Sequence, residues 1–427
     1  MNRDISSLRH IFSKIYSKDT EVLESQLKRY TDLSEQFTEK FGEQELHYFS
    51  TPGRTEIGGN HTDHNYGRVL AGSVNLDSIA VATKNQLNSV VIYSMGYEKA
   101  FQIDLDNLEV NEIEFGTTTA LIRGIASRLT QLGYQIGGFN AYIESDVLPG
   151  SGLSSSASIE VLIGSIFSAL FNDNSIAPEN LAIIGQYAEN NYFGKPCGLM
   201  DQVACAMGGI ITIDFETPEK PKIEKIDFDF EEQNYNLIVV DTGGNHADLT
   251  EDYASVPIEM RSVAQALGKN VCREISMIDL IPYIKILRSK VGDRALLRAI
   301  HFIGENERVT EQVNALKNND FDAFLELLKD SGNSSFKWLQ NIYSTKNIRE
   351  QGLSLALAIT ENYIKEISAG ACRVHGGGFA GTIQVFLPHS KVKAYHDLMA
   401  KVYGEKSVHI LSIRPLGTLY LNPFFEN

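Results

Sequence analysis

Leu148-Pro149-Gly150-Ser151-Gly152-Leu153-Ser154-Ser155-Ser156-Ala157-Ser158 is the stretch on which the reading of this chain turns. Before it, Phe139 to Val147 alternates as a strand does, with Phe139, Ala141 and Ile143 on one face. After it, Ile159 to Phe171 is apolar on nearly every side, the pattern of a buried helix. Strand, Gly/Ser loop and helix start together make an anion site. Small residues admit a phosphate to the backbone, and the unpaired N–H groups of the first helical turn point at it. No Gly-Lys-Ser/Thr follows the glycines, so the loop is not a P-loop. The same residues also fit a Ser-capped buried helix after a Gly turn, and two further stretches bear on the choice.

The first of these is Phe49-Ser50-Thr51-Pro52-Gly53-Arg54-Thr55-Glu56-Ile57-Gly58-Gly59-Asn60-His61-Thr62-Asp63-His64-Asn65-Tyr66-Gly67. Its density of Arg, Asn, His, Asp and Gly predicts a binding loop and a poor core element, set before a strand at Val69 to Leu76. The alternative is a plain Asn/Asp/Gly turn. His61, Asp63 and His64 suggest a metal site, but no second His/Asp/Glu cluster with ligand spacing accompanies them. The second is Ala371-Cys372-Arg373-Val374-His375-Gly376-Gly377-Gly378-Phe379-Ala380-Gly381, before a strand at Thr382 to Leu387. Its His-Gly-Gly-Gly is like a hydrolase oxyanion loop, but the chain has no Gly-x-Ser-x-Gly elbow, which sets a serine hydrolase aside.

Between these stretches the pattern is α+β. Leu23, Leu27, Tyr30, Leu33, Phe37 and Phe41 stripe a scaffold helix that stops at Gly42. Strands follow at Ile79 to Thr83 and Val90 to Met95, then a helix striped by Leu121, Ile122, Ile125, Leu129 and Leu132. Residues 181–209 continue as a helix carrying Glu189, then run through Gly194 to Gly208. Asp201 lies there among Leu199, Met200, Val203 and Ala204, either as an N-cap or as a catalytic group. A strand at Ile210 to Phe215 ends in Glu216 to Lys222, the best linker candidate, which predicts domains at 1–217 and 223–427. The second would open on a strand at Leu237 to Val240 and be helical to about residue 369, including Arg294 to Leu316.

The 427 residues carry 38 basic against 54 acidic side chains, a net charge of −16. That balance argues against nucleic acid or an anionic membrane as the partner. An anionic substrate must then be met by local dipoles, Mg²⁺ and a few placed cations. Cys197, Cys205, Cys272 and Cys372 show no CxxC spacing that would suggest a metal or disulfide framework. With no apolar leader after Met1 and no membrane-length apolar run, the expected location is cytoplasmic.

Together the three Gly-rich stretches resemble the GHMP family of small-molecule kinases, in particular its galactokinase branch. Pro52, Gly53, Arg54, Gly59, His61, Thr62, Asp63 and Asn65 match Pro-Gly-Arg-Val-Asn-Leu-Ile-Gly-Glu-His-Thr-Asp-Tyr-Asn. Gly152 to Ser158 matches Gly-Leu-Ser-Ser-Ser-Ala-Ser without change. Arg373, Gly376, Gly377, Gly378, Phe379 and Gly381 resemble Arg-Met-Thr-Gly-Gly-Gly-Phe-Gly-Gly, and Pro196 to Gln202 looks like Pro-Cys-Gly-Ile-Met-Asp-Gln. The resemblance runs from about Pro52 to the last residue.

It implies a two-domain fold, like ribosomal protein S5 in the first half and ferredoxin-like in the second, with the site in the cleft between. It also implies transfer of the γ-phosphoryl group of ATP to the anomeric hydroxyl of a sugar, chemistry that asks mainly for positioning and charge stabilisation. By resemblance Asp201 is the base or orienting group and Arg54 stabilises charge beside it. Gly150, Ser151, Gly152, Leu153, Ser154, Ser155, Ser156 and Ala157 hold the nucleotide phosphates, with Ser156 and Glu189 on Mg²⁺. Asn60, His61, Asp63, Gly198 and Tyr253 match sugar-contacting positions, Tyr253 by its spacing from His246. The departures cluster in the sugar loop. Glu56 stands where the family has Asn, Gly58 where it has Ile, Asn60 where it has Glu, and His64 where it has Tyr. Asn60 is expected to face the sugar's C6 and to relax discrimination against a C6 carboxylate, which makes galacturonate the alternative to galactose. A non-catalytic sugar sensor is the reading from another class, and the presence of Arg54, Glu189, Asp201 and the whole Gly152 to Ser158 loop speaks against it.

Overall fold

The computed structural model describes residues 4–147, 152–195, 197–244 and 249–426. Two helices, α1 (Arg9–Ile15) and α2 (Thr20–Phe41), precede the first sheet. Asp19 caps α2 by accepting from the Glu21 and Val22 N–H groups, and Gly42 closes it at φ 77°. Strands β1 (His47–Gly58), β2 (Arg68–Lys84), β3 (Ser89–Ser94) and β4 (Phe101–Asp104) lead to α3 (Thr118–Gln131) and β5 (Phe139–Ser145). Helices α4 (Ser155–Phe171), α5 (Pro178–Ala188) and α6 (Met200–Met207) come next, then β6 (Ile210–Asp214) and β7 (Lys222–Ile226).

The first sheet has the order β12–β1–β2–β5–β3–β4, with β12 being Leu419–Tyr420, and β6 and β7 join it along the first half of β2. Strand alternation divides its two faces. Tyr48, Ile79, Val81 and Tyr142 pack under the Leu23–Leu27–Tyr30–Leu33–Phe37 stripe of α2. Phe49, Ala80, Ala82, Ala141 and Ile143 pack against α3 to α6, with Val161, Leu162, Ile166 and Phe167 of α4 fully buried. Burying an aliphatic or aromatic side chain stabilises by roughly 1.5–3 kcal/mol, so α4 is anchored along its whole length. Its first turn is therefore held at one point in space.

The second sheet is built from β8 (Tyr235–Asp241), β9 (Ala371–His375), β10 (Thr382–Pro388) and β11 (Val408–Leu411), in the antiparallel order β11–β8–β10–β9. Helices α7 (Thr250–Ala266), α8 (Met277–Leu280), α9 (Ile284–Val291), α10 (Asp293–Lys317), α11 (Phe321–Ser334) and α12 (Gly352–Ile367) separate β8 from β9, and α13 (His389–Tyr403) separates β10 from β11. That is a β-α-β-β-α-β order, ferredoxin-like with a helical insertion. Among the described residues no helix is long and apolar enough to cross a membrane.

The structure departs from the sequence pattern in four places. Thr51 to Gly58 is not loop but the buried second half of β1; its polar side chains find buried partners, so polarity does not force them out. The separate strands at Val69 to Leu76 and Ile79 to Thr83 are one strand, β2, paired with β1 along both halves. Residues 181–209 do not form one helix: α5 gives way to a wide π turn at Glu189–Phe193, which Gly194 ends at φ 81°. Lastly, Glu216 to Lys222 closes a β6–β7 hairpin instead of linking domains. The chain crosses to the second sheet after Ile226 and returns at the end, where β12 pairs with β1.

Candidate active site

Arg54 stands on β1 where the strand meets the Gly/Ser loop, and its N–H donates to Leu153 O at 3.0 Å. Gly53 makes the approach feasible, since a Cβ there would lie 2.9 Å from the same carbonyl. The Arg54 guanidinium reaches Asp201 in bidentate fashion, Nε to Oδ1 and Nη2 to Oδ2, both at 2.8 Å. Its third arm, Nη1, donates to Gly152 O, while Ser154 Oγ donates to Asp201 Oδ2. Asp201 is in the first turn of α6 but caps nothing, since its carboxylate is taken by Arg54 and Ser154. Of the pair, the Asp201 side chain is 31% exposed and Arg54 8%, so the carboxylate is the member a substrate can reach. Burial pushes the Asp201 carboxyl up, but Arg54 and the Ser154 hydroxyl outweigh it and hold the group below its ordinary value.

The loop that delivers Ser154 is set by positive φ angles, 72° at Gly152 and 59° at Ser154. A Cβ on Gly152 would meet Thr382 Oγ1 at 2.8 Å and His375 Nδ1 at 2.9 Å, so this loop is wedged against the second sheet. Ser154 spends its hydroxyl on Asp201, and among the described residues the α4 N-terminus has neither a side-chain cap nor an acidic residue in its first turn. Its N–H groups and the positive end of the helix dipole face out with Ser155 and Ser156. Leu153 and Ala157 are fully buried and offer only backbone. Gly150 and Ser151 lie outside the described residues.

At the second residue of α4, Ser156 Oγ is 3.2 Å from Glu189 Oε1. Glu189 is buried at the start of the π turn, and Gln202 Nε2 donates to its Oε2 at 2.9 Å and to Glu160 Oε2 at 2.9 Å. Burial and the adjacent Glu189 push the Glu160 carboxyl well above the usual range. Among the described residues no group of three or more His, Cys, Asp or Glu is gathered for a metal. An adjacent hydroxyl and carboxylate at a helix start nevertheless fit Mg²⁺, which takes one or two protein oxygens and completes its shell with phosphates and water.

The positions that the resemblance assigns to the sugar fall into three groups. Asp63 and Gly198 touch, since a Cβ on Gly198 would lie 2.0 Å from Asp63 Oδ2. His61, at φ 58°, has Nε2 2.9 Å from Gly377 O, which makes Nε2 the donor; Nδ1 is buried with no partner among the described residues. Burial pushes the His61 imidazole down to about 4, so it is neutral at physiological pH. Tyr253 Oη donates to Gly378 O at 2.8 Å, so His61 and Tyr253 meet at one Gly-rich turn. His246, by which Tyr253 was placed in the sequence, is outside the described residues. Asn60 forms the third group and corrects an expectation. It is fully buried: Nδ2 donates to Glu56 Oε1 at 2.9 Å and Gly376 O at 2.6 Å, and Oδ1 accepts from Asn341 Nδ2 at 2.8 Å. With every arm of its amide engaged, Asn60 is part of the core and offers no free group to a ligand.

Sequence reasoning passed over what holds β1 to the second sheet. Arg373 Nη2 pairs with Glu56 at 2.7 Å and Nη1 donates to Ile57 O at 2.7 Å, all fully or nearly fully buried. His375 sits between Thr382 Oγ1 at 2.9 Å and Thr55 Oγ1 at 3.1 Å, and Gln384 Nε2 donates to Thr55 Oγ1 and Glu56 O. Arg373 and His375 are cross-strand neighbours of Gln384 and Thr382. A signal existed: polar residues at period two, alternating with Cys372, Val374, Ile383 and Val385, mark a strand face aimed at something polar.

A two-sheet fold with a Gly/Ser loop feeding an anchored helix, and an Arg–Asp pair at its mouth, defines a GHMP kinase. Residues 120–209 match the profile of the GHMP kinases N terminal domain and residues 35–84 that of the galactokinase galactose-binding signature. The chain is 30% identical over 386 residues to the galactokinase of Staphylococcus carnosus, covering 88% of this chain and 94% of the relative. To the galactokinase of Lacticaseibacillus casei it is 29% identical over 381 residues, with 88% and 94% covered. The crystal structure of Lactococcus lactis galactokinase complexed with galactose superposes with a TM-score of 0.78 at 26% identity, covering 92% of this chain and all of that one. The chain belongs to the galactokinase family.

Proposed function

We propose that the protein transfers the γ-phosphoryl group of ATP to the anomeric hydroxyl of galactose, giving galactose 1-phosphate and ADP. The observation that carries the reading is the Arg54–Asp201 pair joined through Gly152 and Ser154 to the open N-terminus of α4. In it, one carboxylate and one row of N–H groups share an edge. The nucleotide phosphates lie against Gly152 to Ser156, and the sugar lies over Asp63, Gly198, His61 and Tyr253. Asp201 accepts a hydrogen bond from the anomeric hydroxyl and aims its lone pair at phosphorus. A carboxylate held low by Arg54 is a weak base, so Asp201 orients the hydroxyl and takes its proton late, as the new P–O bond forms and the bond to ADP breaks. Arg54 keeps that carboxylate ionised and offsets the charge gathering on the transferred group. Ser156 and Glu189 would hold Mg²⁺, which neutralises phosphate charge when bound.

Galacturonate gains nothing from the geometry. Of the cations beside the sugar loop, Arg54 and Arg68 are committed to Asp201 and Asp214, and Arg261 Nη2 donates to His64 O at 3.0 Å. The deciding experiment is ³¹P NMR of the purified protein with Mg-ATP and each of galactose, galacturonate, N-acetylgalactosamine, glucose and arabinose. A sugar 1-phosphate signal with galactose, matched by equimolar ADP, is the expected result. ADP without sugar phosphate, or product with another sugar alone, overturns it.

A further inference from the structure

The mid-section of α10 carries a stripe that a packing helix would not be expected to have. His301, Glu305 and Gln312 are fully buried, and positions four and seven apart lie on one helix face. Each meets the strand-to-loop corner at Gly58 to Asn60. Glu305 Oε1 accepts the Gly59 N–H at 3.1 Å, and His301 Nε2 lies 2.9 Å from Asn60 O. Gln312 Oε1 would be 2.0 Å from any Cβ on Gly58. A carbonyl only accepts, so His301 carries its proton on Nε2 and accepts a hydrogen bond at Nδ1 from Ser334 Oγ, 2.8 Å away. Burial pushes this imidazole down, in keeping with that neutral form. Glu305 is held in turn by Ser331 Oγ at 2.6 Å and by Arg308.

A donor on one residue and an acceptor on the next are thus gripped from outside the loop, which fixes how the chain turns at Gly59 (φ 87°) and His61 (φ 58°). The two residues that follow this grip on the sugar side are His61 and Asp63. Apolar side chains of like volume would pack such a helix at least as stably as buried ionisable ones, so the polar stripe is explained by the geometry it imposes. We infer that His301 and Glu305 are positioning residues for the sugar, setting His61 and Asp63 through the backbone of Gly59 and Asn60; this rests on the sugar-kinase reading above.

The test compares His301→Asn, which retains a partner for Ser334 but falls short of Asn60 O, with His301→Gln, whose amide reaches the Nε2 position and can donate there. Met399→Ala, in the core of the second sheet far from this loop, controls for lost stability. Leaving the Asn60 carbonyl without its buried donor should raise KM for galactose about tenfold in His301→Asn while KM for ATP moves less than about twofold. His301→Gln should recover most of that loss. Hydrogen exchange read by mass spectrometry should show residues 58–66 losing protection in His301→Asn and keeping it in His301→Gln, with residues 152–160 unchanged. The inference is overturned if galactose KM stays put in His301→Asn, or if both KM values rise together as for a general loss of stability. Absence of turnover in the wild type sinks the kinase reading alone, and the exchange pattern then decides the clamp.

Discussion

Two Gly-rich segments flank the Arg54–Asp201 pair and are held in opposite ways. Gly152 to Ala157 is hydrogen-bonded from within the first sheet and only packs against the second, at Gly152: Leu153 O accepts from Arg54, and Ser158 Oγ donates to Thr51 O at 2.9 Å at the head of an apolar helix. Gly58 to Gly67 is fixed from the far half of the chain, by Glu305, His301 and Asn341 directly and by Arg373 through Glu56. The proposed phosphate side would therefore work mainly through main-chain groups that any small residues expose. On the sugar side, buried polar side chains from remote elements must agree. A change in the first should act locally on catalysis, and one in the second should travel through the domain junction.

The largest effect is expected where the two sides share a residue. Asp201→Asn keeps the shape of the Arg54 contact but loses the anion, and removal of an aligned acid–base group costs about 10²–10⁴ in rate. Calorimetry should still show ATP and galactose binding. A variant with near-normal kcat would remove Asp201 from the chemistry.

Next comes the junction. Arg373→Met leaves Glu56 buried without its cation and should cost roughly 3–5 kcal/mol in urea unfolding, while the double variant Glu56→Gln/Arg373→Met should recover much of it. Asn60→Glu belongs to the same site. It would set a second carboxylate beside Glu56, so it should lower stability without shifting the galactose-to-galacturonate ratio of kcat/KM. A tenfold shift in that ratio would mean that Asn60 does reach the sugar.

These outcomes also mark how far the sequence was legible. Gly152 to Ser158 could be read because a strand, small residues and an apolar helix are contiguous, and their joint meaning depends on backbone alone. The stripe of α2, the strands β8 and β10 of the second sheet and α10 itself were legible in the sequence, whereas β9 and β11 were not read. The burial of Thr51 to Gly58 could not be read, because a polar strand enters a core only if partners wait there. Those partners, Arg373, Gln384 and His375, lie more than three hundred residues away in the chain. Asn60 went wrong for the same reason. Its neighbours in sequence say loop, but Asn341 and Gly376 make it core.

Smaller effects should separate backbone from side-chain work on the phosphate side. Ser156→Ala removes one oxygen beside Glu189 and should cost about tenfold in kcat/KM at limiting Mg²⁺, with partial recovery at excess Mg²⁺. Gly152→Val forces a β-branched residue to φ 72° against Thr382 and His375, a defect that no Mg²⁺ concentration repairs. If Ser156→Ala behaves like Gly152→Val across a Mg²⁺ titration, Ser156 is not a metal donor.

The smallest effect distinguishes the sugar side by its response to acid. His61 is pushed down to about 4 by burial, whereas in an unfolded chain it titrates near about 6.5. Between those values the unfolded state binds the extra proton, so stability rises with pH there. The contribution is complete above about pH 6.5 and is lost as pH falls towards about 4. At about pH 5.5 the loss should be roughly 1 kcal/mol. His61→Gln can keep the donor to Gly377 O and has no proton to gain, so its unfolding free energy should fall less between about pH 7.5 and 5.5. His375, also pushed down by burial, is present in both proteins and cancels from the difference. Over about pH 6.5 to 8 the galactose KM of the wild type should be flat, because His61 stays neutral. Parallel acid slopes for the two proteins would mean that the Nδ1 of His61, buried and without a partner among the described residues, is open to water, and that the proposed sugar side is looser than the network behind it requires.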